Sequence, residues 1–142
     1  MAVKRLLSIL ALLLSACATA APPDVPTVLE RPGLSGRALA DGECALFVWT
    51  RDAARDLILF SSAKEAALWT YKGENPFEPT ESPLAAEQQF EVDEISYRLE
   101  LGSGEPFGVG TRYSSGALRS VVDGWDVVQP VLGLTACGED SD

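Results

Sequence analysis

The chain has no histidine, three cysteines, and about half as many basic as acidic side chains: 11 Lys and Arg against 21 Asp and Glu in 142 residues. Without imidazole there is no Ser-His-Asp or Cys-His nucleophile and no ordinary zinc site. The cysteines include no Cys-x-x-Cys pair of the kind that redox and metal sites use. The apolar stretch at residues 6–14, at about 1.5 Å per residue, falls well short of the roughly 30 Å of hydrocarbon that a spanning helix must cross. A formal charge of −10 disfavours nucleic acid and anionic headgroups and favours cationic partners.

What the N-terminus does have is the order of an export signal. Lys4 and Arg5 precede the apolar stretch, and small residues lead straight into Cys17. Leu14-Ser15-Ala16-Cys17 resembles the lipobox of bacterial lipoproteins. That resemblance implies that residues 1–16 are a removed signal peptide, that Cys17 is acylated, and that the lipid holds the protein on a membrane. Ala18 stands where an aspartate commonly retains such proteins at the inner membrane, so the resemblance points to the outer membrane of a Gram-negative envelope. Loss of residues 1–16 lowers the basic count from 11 to 9 and leaves 21 acids, a mature charge of about −12. With Cys17 assigned to lipid, Cys44 and Cys137 remain as an even pair in an oxidising compartment and are expected to bond to each other. Closing a loop of that length constrains the unfolded chain by roughly 4 to 5 kcal/mol in the entropy model.

Residues 17–38 read as the lipidated cysteine and a flexible tether, with Pro22, Pro23, Pro26 and Pro32 and no sustained apolar period. At roughly 3.1 Å per residue it could hold the domain up to about 60 Å from the membrane. Residues 39–138 suffice for one small core, and residues 139–142 are an acidic tail.

The domain's pattern is mostly period two, which predicts an all-β fold of about seven or eight short strands. Residues 44–50 are apolar on both alternating faces, as in a strand packed on each side. Residues 57–62 and 66–71 flank a turn at 63–65. Phe90 and Val92 mark a short strand before 96–101, where Tyr97, Leu99 and Leu101 point inward and Arg98 and Glu100 to water. Residues 118–122 and 125–129 flank Asp123-Gly124, a pair suited to a type I′ turn. A last strand at 131–137 starts after Pro130. Residues 72–88, with three prolines, read as a long loop ending in a helical turn at 84–88. A bond between the first and last strands suits a small antiparallel barrel, with a two-sheet sandwich as the alternative.

Candidate chemistry is sparse. Ser61-Ser62-Ala63-Lys64 has the letters S-x-x-K but none of the companion elements that make it a catalytic motif. Glu91, Asp93 and Glu94, and Asp123 with Asp126, read as solvated faces rather than acid pairs, because nothing beside them supplies desolvation. Trp49, Trp69 and Trp125 sit in apolar strand contexts and read as core.

Gly110-Thr111-Arg112-Tyr113-Ser114-Ser115-Gly116, followed by a hairpin and Cys137, with Cys44 at the first strand, resembles the membrane-bound inhibitors of c-type lysozyme. Those are small lipoproteins with a disulfide-tied β-barrel and a Ser-Gly-x-x-Tyr loop. The resemblance makes Arg112, Tyr113, Ser114 and Ser115 a candidate binding loop, although Val109 stands where that loop's serine would be. The chain also resembles uncharacterised small bacterial lipoproteins with a Gly-Glu-Cys start and a Thr-Arg-Tyr segment. The expectation is a non-enzymatic lipoprotein whose acidic domain, without metal or cofactor, binds a cationic envelope or host protein. Lysozyme inhibition is the first alternative and a histidine-free carboxylate hydrolase the second.

Overall fold

The computed structural model describes residues 37–139. Cys17, the signal peptide, residues 18–36 of the tether and residues 140–142 of the tail lie outside them. The described residues form nine antiparallel strands and no helix: β1 (Cys44–Thr50), β2 (Leu57–Ser62), β3 (Ala66–Thr70), β4 (Gly73–Pro76), β5 (Glu87–Val92), β6 (Ile95–Leu101), β7 (Gly104–Phe107), β8 (Gly110–Val122) and β9 (Trp125–Cys137). They make one sheet in the order β4-β3-β2-β1-β9-β8-β6-β5, with β7 added to β8, curled into a nearly closed barrel.

Alternation decides which side chains fill the barrel. In β6, Tyr97, Leu99 and Leu101 are buried and Ser96 and Arg98 exposed; in β5, Gln88, Phe90 and Val92 are buried. With Leu46, Val48, Leu68, Leu118 and Val131, the apolar ones among these buried residues form the inner core. β1 and β2 register as Val48↔Leu59 and then Trp49↔Leu57, so Ile58 is the extra residue of a bulge, and Ile58 and Leu59 both join that core. Each such side chain, fully buried, stabilises the fold by about 1.5–3 kcal/mol.

The other face of β1 to β3 is apolar as well. Phe47, Phe60 and Trp69 form a second, outer cluster, against which Leu39 packs. The Arg37 guanidinium lies 5.0 Å from the Phe60 ring centre and 5.5 Å from that of Trp69, and pairs with Glu65 and Glu74. The hydrogen bond that the guanidinium donates to Glu65 is the largest cause holding its pKa above the ordinary value. Arg37, counted with the tether from the sequence, is thus fastened to the sheet. β1 is packed on both faces, as its composition predicts.

The first and last strands are neighbours. Cys44 pairs with Cys137 in the β1–β9 register, and their Sγ atoms lie 2.01 Å apart, at disulfide distance. Asp123 (φ 50°) and Gly124 (φ 78°) make the left-handed two-residue turn between β8 and β9.

Three expectations are corrected. Residues 72–88 hold β4 and the first two residues of β5, and a turn over 82–85, instead of a helical one at 84–88, leads into that strand. There the Ala85 N–H donates to Ser82, and the buried Gln88 amide donates to the carbonyls of Pro83 (2.9 Å) and Ala85 (3.1 Å). β9 runs unbroken through Pro130. Counting from the two-residue turn, the Pro130 backbone N and O face away from β8, and pairing to β1 begins only at Val131, so the missing donor goes unmissed. Its carbonyl still accepts the Arg51 N–H at 3.0 Å. Trp125 is 45% exposed, because the β8–β9 hairpin projects beyond β1, whereas Trp69 is buried.

Candidate functional site

The residues expected to form a binding loop belong to a strand. Arg112, Tyr113, Ser114 and Ser115 lie inside β8, where a register shift between Tyr113 and Gly116 opposes β9. Alternation sends Arg112 and Tyr113 to opposite faces. Arg112 pairs with Glu105 at 2.8 Å and covers the Phe107 ring at 5.8 Å, while Tyr113 packs against the inner core. Ser114 and Ser115 are exposed, and the Ser115 carbonyl accepts the Gly102 N–H. What projects instead is the tip of the β7–β8 hairpin, where Phe107 is 54% and Val109 85% exposed.

Other sequence candidates are likewise separated. Ser61 is buried in β2, while Lys64 lies in the exposed turn and pairs with Glu43 at 3.5 Å. Glu91, Asp93, Glu94, Asp123 and Asp126 are all exposed. Among the described residues no group of three or more His, Cys, Asp or Glu side chains is placed to hold a metal.

One concavity among the described residues is a groove of about 500 Å³ crossing β5, β6, β8 and β9. Its walls are two rows of outward side chains, one set by the register Gln89↔Arg98, Arg98↔Arg119 and Arg119↔Val128. Two residues along each strand lies the second row, Glu91 and Ser96 on β5 and β6, Val121 and Asp126 on β8 and β9. The backbone of the intervening row, whose Phe90 and Tyr97 side chains point into the barrel, makes the floor.

Arg98 and Arg119 are directly opposite one another, an arrangement that like charges disfavour. Glu100, two residues along β6 from Arg98, offsets it: one carboxylate oxygen pairs with Arg98 at 3.1 Å and the other with Arg119 at 2.9 Å. Two guanidiniums on one carboxylate leave one positive charge in excess. The Arg37 cluster, one guanidinium on two carboxylates, is the reverse. Val121 and Val128, 59% and 47% exposed, lie diagonally across from each other beside Arg119 and add an apolar corner.

No family model matches the chain, and no curated protein or solved structure matches it either. The groove is therefore read on its own chemistry. Arg98 and Glu100 were already assigned to water from alternation, and Arg119 shares the period of Val121. What the one-dimensional pattern hides is that β8 pairs with β6 and so carries Arg119 to Arg98.

Proposed function

We propose that the protein is a lipid-anchored envelope protein whose β domain is a non-catalytic binding module, with the groove over β5, β6, β8 and β9 as its binding face. The observation that carries this reading is the opposed Arg98 and Arg119 beside exposed Val121 and Val128 on an otherwise acidic protein. The overall charge attracts a cationic partner from a distance, and the arginines give that partner's anionic group a fixed place. The resemblance of residues 14–17 to a lipobox supports the anchor on Cys17. Cys17→Ala should abolish lipid labelling, and persistence of the label would remove the anchor from the proposal.

Binding is tested by placing a photocrosslinking side chain at Val121 or Val128 of the full-length protein in its envelope, with the exposed turn residue Ala63 as control. A discrete adduct from the groove positions, absent from Ala63 and lost in Arg119→Ala, is expected. Equal labelling from all three positions would overturn the reading.

The exposed apolar tip of the β7–β8 hairpin, Phe107 and Val109, favours a second reading, inhibition of c-type lysozyme by insertion of that tip into the enzyme's cleft. Micromolar protein should then slow the enzyme on cell walls, and Phe107→Ser should relieve it without unfolding the domain. Unchanged lysozyme activity would dismiss the inhibitor.

A further inference from the structure

The charges around the groove follow a sequence that a ligand can match. Crossing the strands in spatial order, Glu91 stands at one end on β5, Arg98 and Arg119 at the middle on β6 and β8, and Asp126 at the other end on β9. Neither Glu91 nor Asp126 has an ion-pair partner among the described residues, although each is diagonal to one of the arginines; both arginines turn instead to Glu100. Each guanidinium has five N–H donors and gives one short contact to that carboxylate, so most of its donors remain for an acceptor in the groove that both arginines line.

The spacing sets the length of what could lie there. Four strands at about 4.8 Å put Glu91 and Asp126 about 14 Å apart, the span of about four extended residues. Arg98 and Arg119 lie two residues, about 7 Å, along their strands from that line, so a complementary occupant is basic at its ends and reaches sideways from its middle with an acidic side chain. We infer that the groove recognises an extended peptide segment of a cationic partner in which a carboxylate, seated between Arg98 and Arg119, is flanked by basic side chains directed to Glu91 and Asp126. The inference rests on the groove being the binding face and adds the chemistry of its ligand. Apolar stems of the flanking basic side chains would cover Val121 and Val128, because long cationic side chains lay their methylenes on apolar surface.

The test separates this pattern from plain attraction to an acidic protein. Full-length protein in a non-ionic detergent is titrated, by amide chemical shifts, with acetyl-Lys-Ala-Glu-Ala-Lys-amide. The comparison peptides are the same sequence with Gln at the centre, a scrambled version with both lysines first, and a version with phosphoserine at the centre. Nonspecific attraction ranks the Gln peptide first, because its net charge is higher. The inference expects the opposite order, the Glu peptide binding about fivefold more tightly than the Gln peptide, with shifts concentrated at residues 96–98 and 119–121. Arg119→Gln should abolish the preference, and Asp126→Asn should weaken the Glu and Gln peptides alike. A Gln peptide that binds as well as the Glu peptide, or a scrambled one that binds as well as either, overturns the inference. Tighter binding of the phosphoserine peptide alone would overturn the carboxylate assignment in favour of phosphate. If the peptides fail while crosslinking from Val121 succeeds, the ligand chemistry is wrong and the binding face stands; if both fail, the proposed function falls with it.

Discussion

Arg98 and Arg119 are Cα partners across β6 and β8, and the carboxylate of Glu100 takes one guanidinium on each oxygen. Removing that carboxylate leaves two like charges facing each other at half-exposed positions. Glu100→Gln should therefore lower stability by about 1 kcal/mol at low salt, as expected of exposed ion pairs and opposed like charges. Raising salt to about 1 M, where the Debye length is about 3 Å, should erase most of the loss. Urea midpoints at the two ionic strengths check this; a salt-independent loss would mean that Glu100 acts through packing.

Two turns of the same length differ in one residue. Asp123-Gly124 has glycine at its second position, whereas Asp93-Glu94 places a glutamate at φ 63°. Side chains resist that left-handed region, and glycine does not. Glu94→Gly should stabilise the domain by about 1 kcal/mol, provided the gain in turn geometry exceeds glycine's added unfolded entropy. A lower unfolding midpoint would show that the glutamate compensates its backbone in some other way.

Gly110 begins β8 with its Cα against β9. A Cβ there would fall 1.8 Å from the Thr135 carbonyl oxygen, backbone that cannot swing aside. Gly110→Ala should cost about 3 kcal/mol or more through forced separation of the two strands. Gly108→Ala, with open space around it but φ 57°, should cost about 1 kcal/mol. Chemical denaturation of the two variants gives the ratio, and equal effects would contradict the close approach.

The Tyr97 phenol is held above its ordinary pKa of 10.0, chiefly because burial disfavours the phenolate, with the Asp93 charge adding to it. A folded pKa above the unfolded one contributes stability that is complete below pH 10 and is lost as pH rises through the folded value. Stability should thus decline from about pH 10 upward, and Tyr97→Phe should flatten the decline. Denaturation midpoints between pH 9 and 11 decide it; identical slopes would assign the alkaline loss elsewhere.

The elements read correctly from sequence are those whose composition carries its own period or turn. Residues 44–50 are apolar on both faces, 96–101 alternate, and Asp123-Gly124 supplies the left-handed turn. β4 (Gly-Glu-Asn-Pro) and β7 (Gly-Glu-Pro-Phe) have no alternation to read, and exist because a neighbour offers its backbone: β3 to one, β8 to the other. The segment 112–115 is a loop in the inhibitors that it resembles, yet here β7 and β9 hold the backbone of Arg112 and Tyr113 from both sides, and only Ser114 and Ser115 fall in the register shift. The groove needed a topological fact, the return of β8 past β7 to β6, that no local pattern contains.

Arg37 is the first described residue of the domain and is clasped over Phe60 and Trp69. Mechanically, among the described residues, the outer face of β2 and β3 is where a pull at Arg37 is first felt. A pull on the chain at Arg37 must break its clasp to Glu65 and Glu74 before it loads β1. At Cys44 it then meets Cys137. With those sulfurs joined, the 93-residue separation between them lies outside the line of force. A pull between Arg37 and the end of β9 is thus taken up by residues 37–43 and the cross-link, while the strands that shape the groove stay unstrained.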